Sequence, residues 1–205
     1  MEIDRSKLEG MFKAVSKVLL EGVDQLTTLD SVFGDGDHGY TISKIAKTID
    51  SSLDQWESQN IKNFLDEMGN TIMGVPGGAA TPLWGTLISG LALPLAEPDQ
   101  ALDASKLKAM FASALEEMES VTAARVGDKT MMDVLTPAVQ AAQEGKDIAE
   151  VLHLAARAAE EGVEETKKFV ARYGRAKQYK DATIGTADAG AVSMSLLFKG
   201  LEAGY

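Results

Sequence analysis

A chain of 205 residues, 45% hydrophobic and 25% charged, can bury a sizeable core, and it is read as a single domain over 1–205. Its formal net charge of −11 argues against nucleic acid or an anionic membrane surface as a partner, since both need a basic footprint. It has no cysteine for disulfides or thiolate metal sites, and no apolar run approaches the ~18 residues of a membrane span. The opening MEIDRSKLEG is charged from its second residue and lacks the apolar core of a secretory leader, so the chain reads as cytoplasmic.

The periodicity is helical almost throughout. Leu8, Met11, Phe12, Val15, Val18, Leu19, Val23 and Leu26 recur at i, i+3, i+4, i+7 and form one apolar stripe. The acidic glycine turn Phe33-Gly34-Asp35-Gly36-Asp37-His38-Gly39-Tyr40 follows, and a helix is expected after it. Ile61, Phe64, Leu65, Met68 and Ile72 repeat the stripe, then Leu83, Leu87 and Leu91, then Leu107, Met110, Phe111, Leu115 and Met118. Asp147 and Glu150 have the spacing of a capping box before Ile148, Val151 and Leu152. The closing AGAVSMSLLFKGLEAGY is small and apolar, which suits a buried helix. No alternating strand pattern is convincing. The expected fold is all-α, a bundle or barrel of about eight antiparallel helices.

Glycine concentrates between helices in four places: 34–39, 74–80, 127–130 and 185–190. In an up-and-down bundle, loops from distant parts of the chain converge on one end. The first of them poses a chemical problem. It satisfies G-x-G-x-x-G, a pattern associated with phosphate cradles, yet it carries Asp35 and Asp37, with Asp30 just before it. A Rossmann reading fails because a helical stripe, not a strand, precedes the glycines. A P-loop fails because Tyr40 stands where lysine is required. An EF-hand starting at Asp35 fails because Gly39 and Ala46 replace oxygen ligands.

A hard-cation site fits instead. Asp30, Asp35 and Asp37 supply oxygen ligands, and Mg²⁺ completes its shell with water and phosphate. The ion then inverts the local electrostatics, so an acidic turn becomes a phosphate site. On its own, Asp-Gly-Asp reads as a solvated turn. The third aspartate, the helix start and a second glycine-rich loop shift the reading to metal and phosphate. That second loop, Gly77-Gly78-Ala79-Ala80-Thr81, leads into a helix whose free N–H groups suit an anion. Its alternative is close helix packing through small residues. Lys129, expected in an exposed loop, either adds positive charge or pairs with Asp128 or Asp133. Arg175 either binds phosphate bidentately or is a surface arginine.

The segments LDSVFGDGDHG, GGAATPLWGT, GDKTMMDVLTP, ARYGRA and IGTADAGA, in this order, resemble the nucleotide-binding L subunit of dihydroxyacetone kinase. The likeness spans nearly the whole chain. It implies an eight-helix barrel with the nucleotide, ADP or ATP, at one end. It implies two Mg²⁺ ions on Asp30, Asp35 and Asp37. It also implies nucleotide contacts from His38, Gly39, Tyr40, Thr41, Gly78, Ala79, Ala80, Met131, Arg175, Asp188, Ala189 and Gly190, with Thr122 near the base. Ala80 stands where relatives often have a hydroxyl residue, and Ala189 where many have proline.

The family's division of labour implies a separate K subunit that holds dihydroxyacetone covalently, while this chain presents the phosphoryl group. Bound ADP is recharged by a phosphotransferase-system protein in one branch of the family and exchanges as ATP in the other; the reading here leans to the first. A homodimer is left open. The rival readings are a kinase subunit for another small keto-sugar, a nucleotide-sensing interaction module, and an acidic helical scaffold that binds no nucleotide.

Overall fold

The computed structural model describes residues 2–57, 60–97 and 99–205. Among the described residues nine α-helices carry the fold: α1 (Arg5–Glu21), α2 (Val23–Phe33), α3 (His38–Asp54), α4 (Ile61–Met73), α5 (Ala80–Ala92), α6 (Ala104–Val121), α7 (Met132–Ala142), α8 (Ile148–Thr166) and α9 (Ala189–Gly204). A 3-10 segment, Ala176–Thr183, lies between α8 and α9. The two-residue strands β1 (Ile3–Asp4) and β2 (Ala101–Leu102) pair antiparallel, a tie between N-terminus and α6 too short to leave an alternating pattern.

Each helix buries one apolar stripe, and the stripes meet in one continuous core. The anticipated first stripe is interrupted by Gly22. This residue keeps helical dihedrals, and its N–H still bonds Val18 C=O at 3.0 Å. α1 and α2 are therefore one bent rod, and with that rod counted once the expectation of about eight helices holds. A Cβ at Gly22 would lie 2.6 Å from Leu196 Cδ1, so the bend lets α9 approach closely.

Aspartate and asparagine caps start several helices, as their side-chain oxygens accept orphan N–H groups. Asp4 accepts from Lys7 N, Asn60 from Asn63 N, Asp103 from Lys106 N and Asp147 from Glu150 N. Glu150 reaches back to Lys146 N at 2.8 Å, close to the expected capping box. Consecutive helices pack against one another and α9 returns onto α1, which closes the ring. Up-and-down order places the starts of α3, α5, α7 and α9 at the same end as the C-terminal end of α2. Among the described residues no helix is long and apolar enough to cross a membrane.

Candidate functional site

At that end lies a cavity of about 390 Å³. Its wall draws on all four glycine-rich segments singled out in the sequence. The acidic turn gives Gly34, Asp35, Asp37 and His38, with Leu29, Asp30 and Phe33 from the end of α2. Thr41 comes from α3, Gly78, Ala79, Ala80 and Leu83 from the start of α5, and Lys129, Thr130 and Met131 from the loop before α7. Tyr173, Gly174, Arg175 and Ala176, then Thr186 through Gly190, complete it.

The acidic turn is built locally. α2 ends when Gly34 N bonds back to Asp30 C=O at 2.6 Å, and Gly36 adopts φ +73°, which glycine takes without strain. Asp30 Oδ2 accepts from His38 N at 3.2 Å, drawing the last turn of α2 onto the first turn of α3. The result places one carboxylate oxygen each from Asp30, Asp35 and Asp37 within 4.8 Å of one another. An all-oxygen anionic set of this kind suits a hard divalent cation such as Mg²⁺.

Three helix starts face the same cavity without a bond from their own cap residue, those of α3, α5 and α7, the last with Met131 at the cap position. Asp37 and Ala79 occupy the cap positions of α3 and α5, and neither side chain bonds its helix. Free N–H groups and the positive end of the helix dipole favour an anion at each. α9 differs, because Asp188 caps it by accepting from Ala191 N at 2.8 Å.

The other charged groups are set by burial. Burial pushes the Asp188 carboxyl up to about 6, against the Ala191 N–H bond and the charge of Lys129. Burial also raises Asp133, although it accepts from Gly127 N at 2.5 Å and Thr130 N at 2.6 Å. Burial lowers His38, opposed by the charge of Asp30. The His38 ring sits 3.0 Å from Ser193 Oγ, which itself donates to Gly190 C=O at 2.9 Å. Arg175 pairs with Asp35 across the cavity mouth.

Most of the anticipated site residues converge here, but three do not line the cavity. Gly39 is buried against α2. Tyr40 is 64% exposed and its ring lies under Lys44 Nζ at 4.5 Å, so neither position offers a side chain to the site. Thr122 ends α6 and turns its hydroxyl to Ala124 N at 3.2 Å. Lys129 departs from its expected exposed loop: it is 4% exposed and bonds carbonyl groups, not Asp128 or Asp133. Leu29, Phe33 and Leu83 form an apolar wall that the sequence did not distinguish from core, and Thr130 and Tyr173 complete what was missed.

The class defined by this geometry is an all-helical domain with three clustered carboxylates beside uncapped helix starts. Comparison with known proteins makes this specific. The DAK2 domain family matches residues 32–203, and the chain belongs to that family. It is 30% identical over 203 residues to dihydroxyacetone kinase 1 of Saccharomyces cerevisiae, covering 97% of this chain but 34% of that protein. The chain thus spans about a third of that relative's length. It is also 30% identical over 178 residues to the PEP-dependent dihydroxyacetone kinase 1, ADP-binding subunit DhaL, of Listeria innocua, covering 87% of this chain and 85% of that subunit. The crystal structure of the dihydroxyacetone kinase from C. freundii in complex with AMP-PNP and Mg²⁺ shares the fold, with TM-score 0.75 and 24% identity over 100% of this chain and 35% of that one.

Proposed function

We propose that this chain is the nucleotide-carrying subunit of a dihydroxyacetone kinase, a phosphotransferase that works with a separate sugar-holding K subunit. The observation that carries the reading is the convergence of Asp30, Asp35 and Asp37 with the uncapped starts of α3 and α5 on one cavity. The Listeria relative, matched along most of its length, is named as an ADP-binding subunit of a PEP-dependent kinase. This favours bound ADP recharged by a phosphotransferase-system protein over exchanging ATP, and a cytoplasmic location belongs to the same proposal.

The residues present fit a magnesium nucleotide. Asp30, Asp35 and Asp37 would hold up to two Mg²⁺ ions. The N–H groups at the starts of α3 and α5, around Gly39, Tyr40, Gly78, Ala79 and Ala80, would bind phosphate, with the side chains of His38 and Thr41 beside them. Met131, with the newly seen Leu29, Phe33 and Leu83, offers apolar surface to the base, while Arg175 and the Asp188-Ala189-Gly190 turn border the opening. Thr122 does not line this cavity, and its assignment to the base is withdrawn from the proposal. When bound, the magnesium nucleotide supplies the transferable phosphoryl group and neutralises charge on its oxygens. The chain's own part is to fix the phosphates with unstrained main-chain donors and to concentrate metal with three carboxylates.

The test is to purify the protein without added nucleotide, denature it and look for stoichiometric ADP. It is then supplied with a dihydroxyacetone-binding K subunit and either a PEP-driven phosphoryl donor or MgATP. Retained ADP and PEP-dependent transfer support the reading. Absence of MgADP and MgATP binding returns the chain to the scaffold reading. Nucleotide binding without transfer to dihydroxyacetone points to another keto-sugar or to a sensing module.

A further inference from the structure

The loop between α6 and α7 holds a lysine in an unusual place. Lys129 is 4% exposed and adopts φ +63°, a left-handed conformation that few residues other than glycine take. Its Nζ donates to Thr166 C=O at 2.6 Å and to Thr186 C=O at 2.5 Å, partners 37 and 57 residues away. Thr166 ends α8, and Thr186 lies two residues before the Asp188 cap of α9.

Between those carbonyls the chain makes an excursion that carries part of the cavity wall. Gly185 N bonds Lys167 C=O at 2.7 Å and closes the neck of this excursion. Thr166 and Thr186 are the residues immediately outside that neck pair, so the one ammonium grips both sides of it. The neighbouring Asp128 accepts from Arg172 N at 3.1 Å and pairs with Arg172 Nε at 3.4 Å. Ala171 N bonds Thr183 Oγ1 at 3.0 Å inside the loop, and Phe33 meets Tyr179 with ring centroids 5.1 Å apart at its tip. The wall residues Tyr173, Gly174, Arg175 and Ala176 all lie on this loop.

We propose that Lys129 is a positioning residue for the nucleotide site: its buried ammonium clasps the neck of the 167–185 loop and holds Tyr173 and Arg175 at the cavity. This rests on the nucleotide reading above. The chemistry explains why a lysine stands there. A buried and a partly buried carbonyl need two donors from one group, which an ammonium on a long stem provides. One of them is at the C-terminus of α8, where a cation is favoured by the helix dipole. The same charge faces Asp188 and Asp133, which burial has left short of solvation. A strained left-handed backbone is retained where the surroundings over-determine it.

The test uses Lys129→Met, which keeps the stem and removes the donors, and Lys129→Gly, which also relieves the left-handed turn and so guards against loss of folding. Peptide-resolved amide exchange is measured without nucleotide, and MgADP is titrated calorimetrically. In both variants, amides of 167–187 are expected to exchange about tenfold faster while α1 to α6 keep wild-type protection. MgADP Kd is expected to rise about tenfold in the folded protein, even where Lys129→Gly melts close to wild type. Unchanged exchange in the loop, exchange that rises evenly through all helices, or wild-type affinity in both variants would each overturn the proposal. If the wild type itself binds no MgADP, the nucleotide reading has failed, and the exchange comparison still decides whether Lys129 holds the loop.

Discussion

Arg175 pairs with Asp35 across the mouth of the cavity, joining the loop that follows α8 to the acidic turn between α2 and α3. Both side chains are more than a third exposed, so the pair adds no more than about 0.5 kcal/mol to stability. Its importance lies in the ligand, because a guanidinium at the rim is placed for a bidentate contact with phosphate. Arg175→Gln is therefore expected to melt within about 2 °C of wild type. MgADP affinity should fall about tenfold, the loss typical of one charge-assisted contact. Melting curves and titration calorimetry on one preparation check both halves. A large loss of melting temperature with intact affinity would make the arginine a structural clasp.

The aspartate triad gives the complementary expectation. Three carboxylate oxygens within 4.8 Å repel one another when no cation is bound. Asp35→Asn keeps the shape and removes one charge, at the cost of the exposed Arg175 pair. Without ligand the variant should be as stable as wild type or slightly more so. MgADP at a hundredfold excess over Kd stabilises a binder by about 2.7 kcal/mol, and that gain should be largely lost. Paired melting curves with and without MgADP decide it. An unliganded variant that melts far lower yet gains the full increment would reduce Asp35 to a turn former.

Gly39 and Tyr40 separate main-chain from side-chain roles at the start of α3. A Cβ on Gly39 would run into Thr27 Oγ1 and Val23 C=O, and would lie 2.9 Å from Thr27 N. Gly39→Ala must push α3 off α2 and should destabilise the protein by about 1–3 kcal/mol in urea unfolding. Tyr40→Ala removes a ring that faces Lys44 and solvent, so stability should change by less than about 1 kcal/mol. MgADP affinity should stay within about threefold, because the Tyr40 ring does not line the cavity. A tenfold loss on Tyr40→Ala would show that the ring contacts ligand.

What was legible in the sequence was what is local. Asp30, Asp35 and Asp37 share one helix end and one glycine turn, so their convergence follows from spacing alone. Ala79 and Ala80 were legible because small residues before an apolar helix mark an open N-terminus. The Asp147 cap was legible for the same reason. What escaped depends on contacts between distant segments. Leu29, Phe33 and Leu83 follow the same periodicity as core residues, and only the ring closure leaves them facing a cavity. Lys129 sits among glycine and charged residues that read as solvent-facing, and its burial comes from carbonyls 37 and 57 residues away. Gly22 did not stop the apolar stripe, because the rod bends there without losing its helical hydrogen bonds.

The pH dependence of stability follows from Asp188. Burial raises its carboxyl from 3.8 to about 6, so between those values the folded chain holds a proton that the unfolded chain releases. Stability therefore falls as pH rises through this window, by up to about 3 kcal/mol at 1.36 kcal/mol per pKa unit. His38 acts in the opposite sense. Burial lowers it below its ordinary 6.5, so acidification protonates the unfolded chain first and stability is lost as pH falls. The wild-type profile thus combines slopes of opposite sign, Asp188 and the raised Asp133 on one side and His38 on the other, and Asp188→Asn removes the first. Asparagine still caps α9, and the contribution of His38 cancels between the two proteins. Urea unfolding of both at pH 4, 5, 6 and 7 is expected to show the variant gaining on wild type steadily as pH rises, with most of the gain complete by pH 7. A stability difference that stays constant over that range would mean that Asp188 ionises as freely in the folded protein as in the unfolded chain.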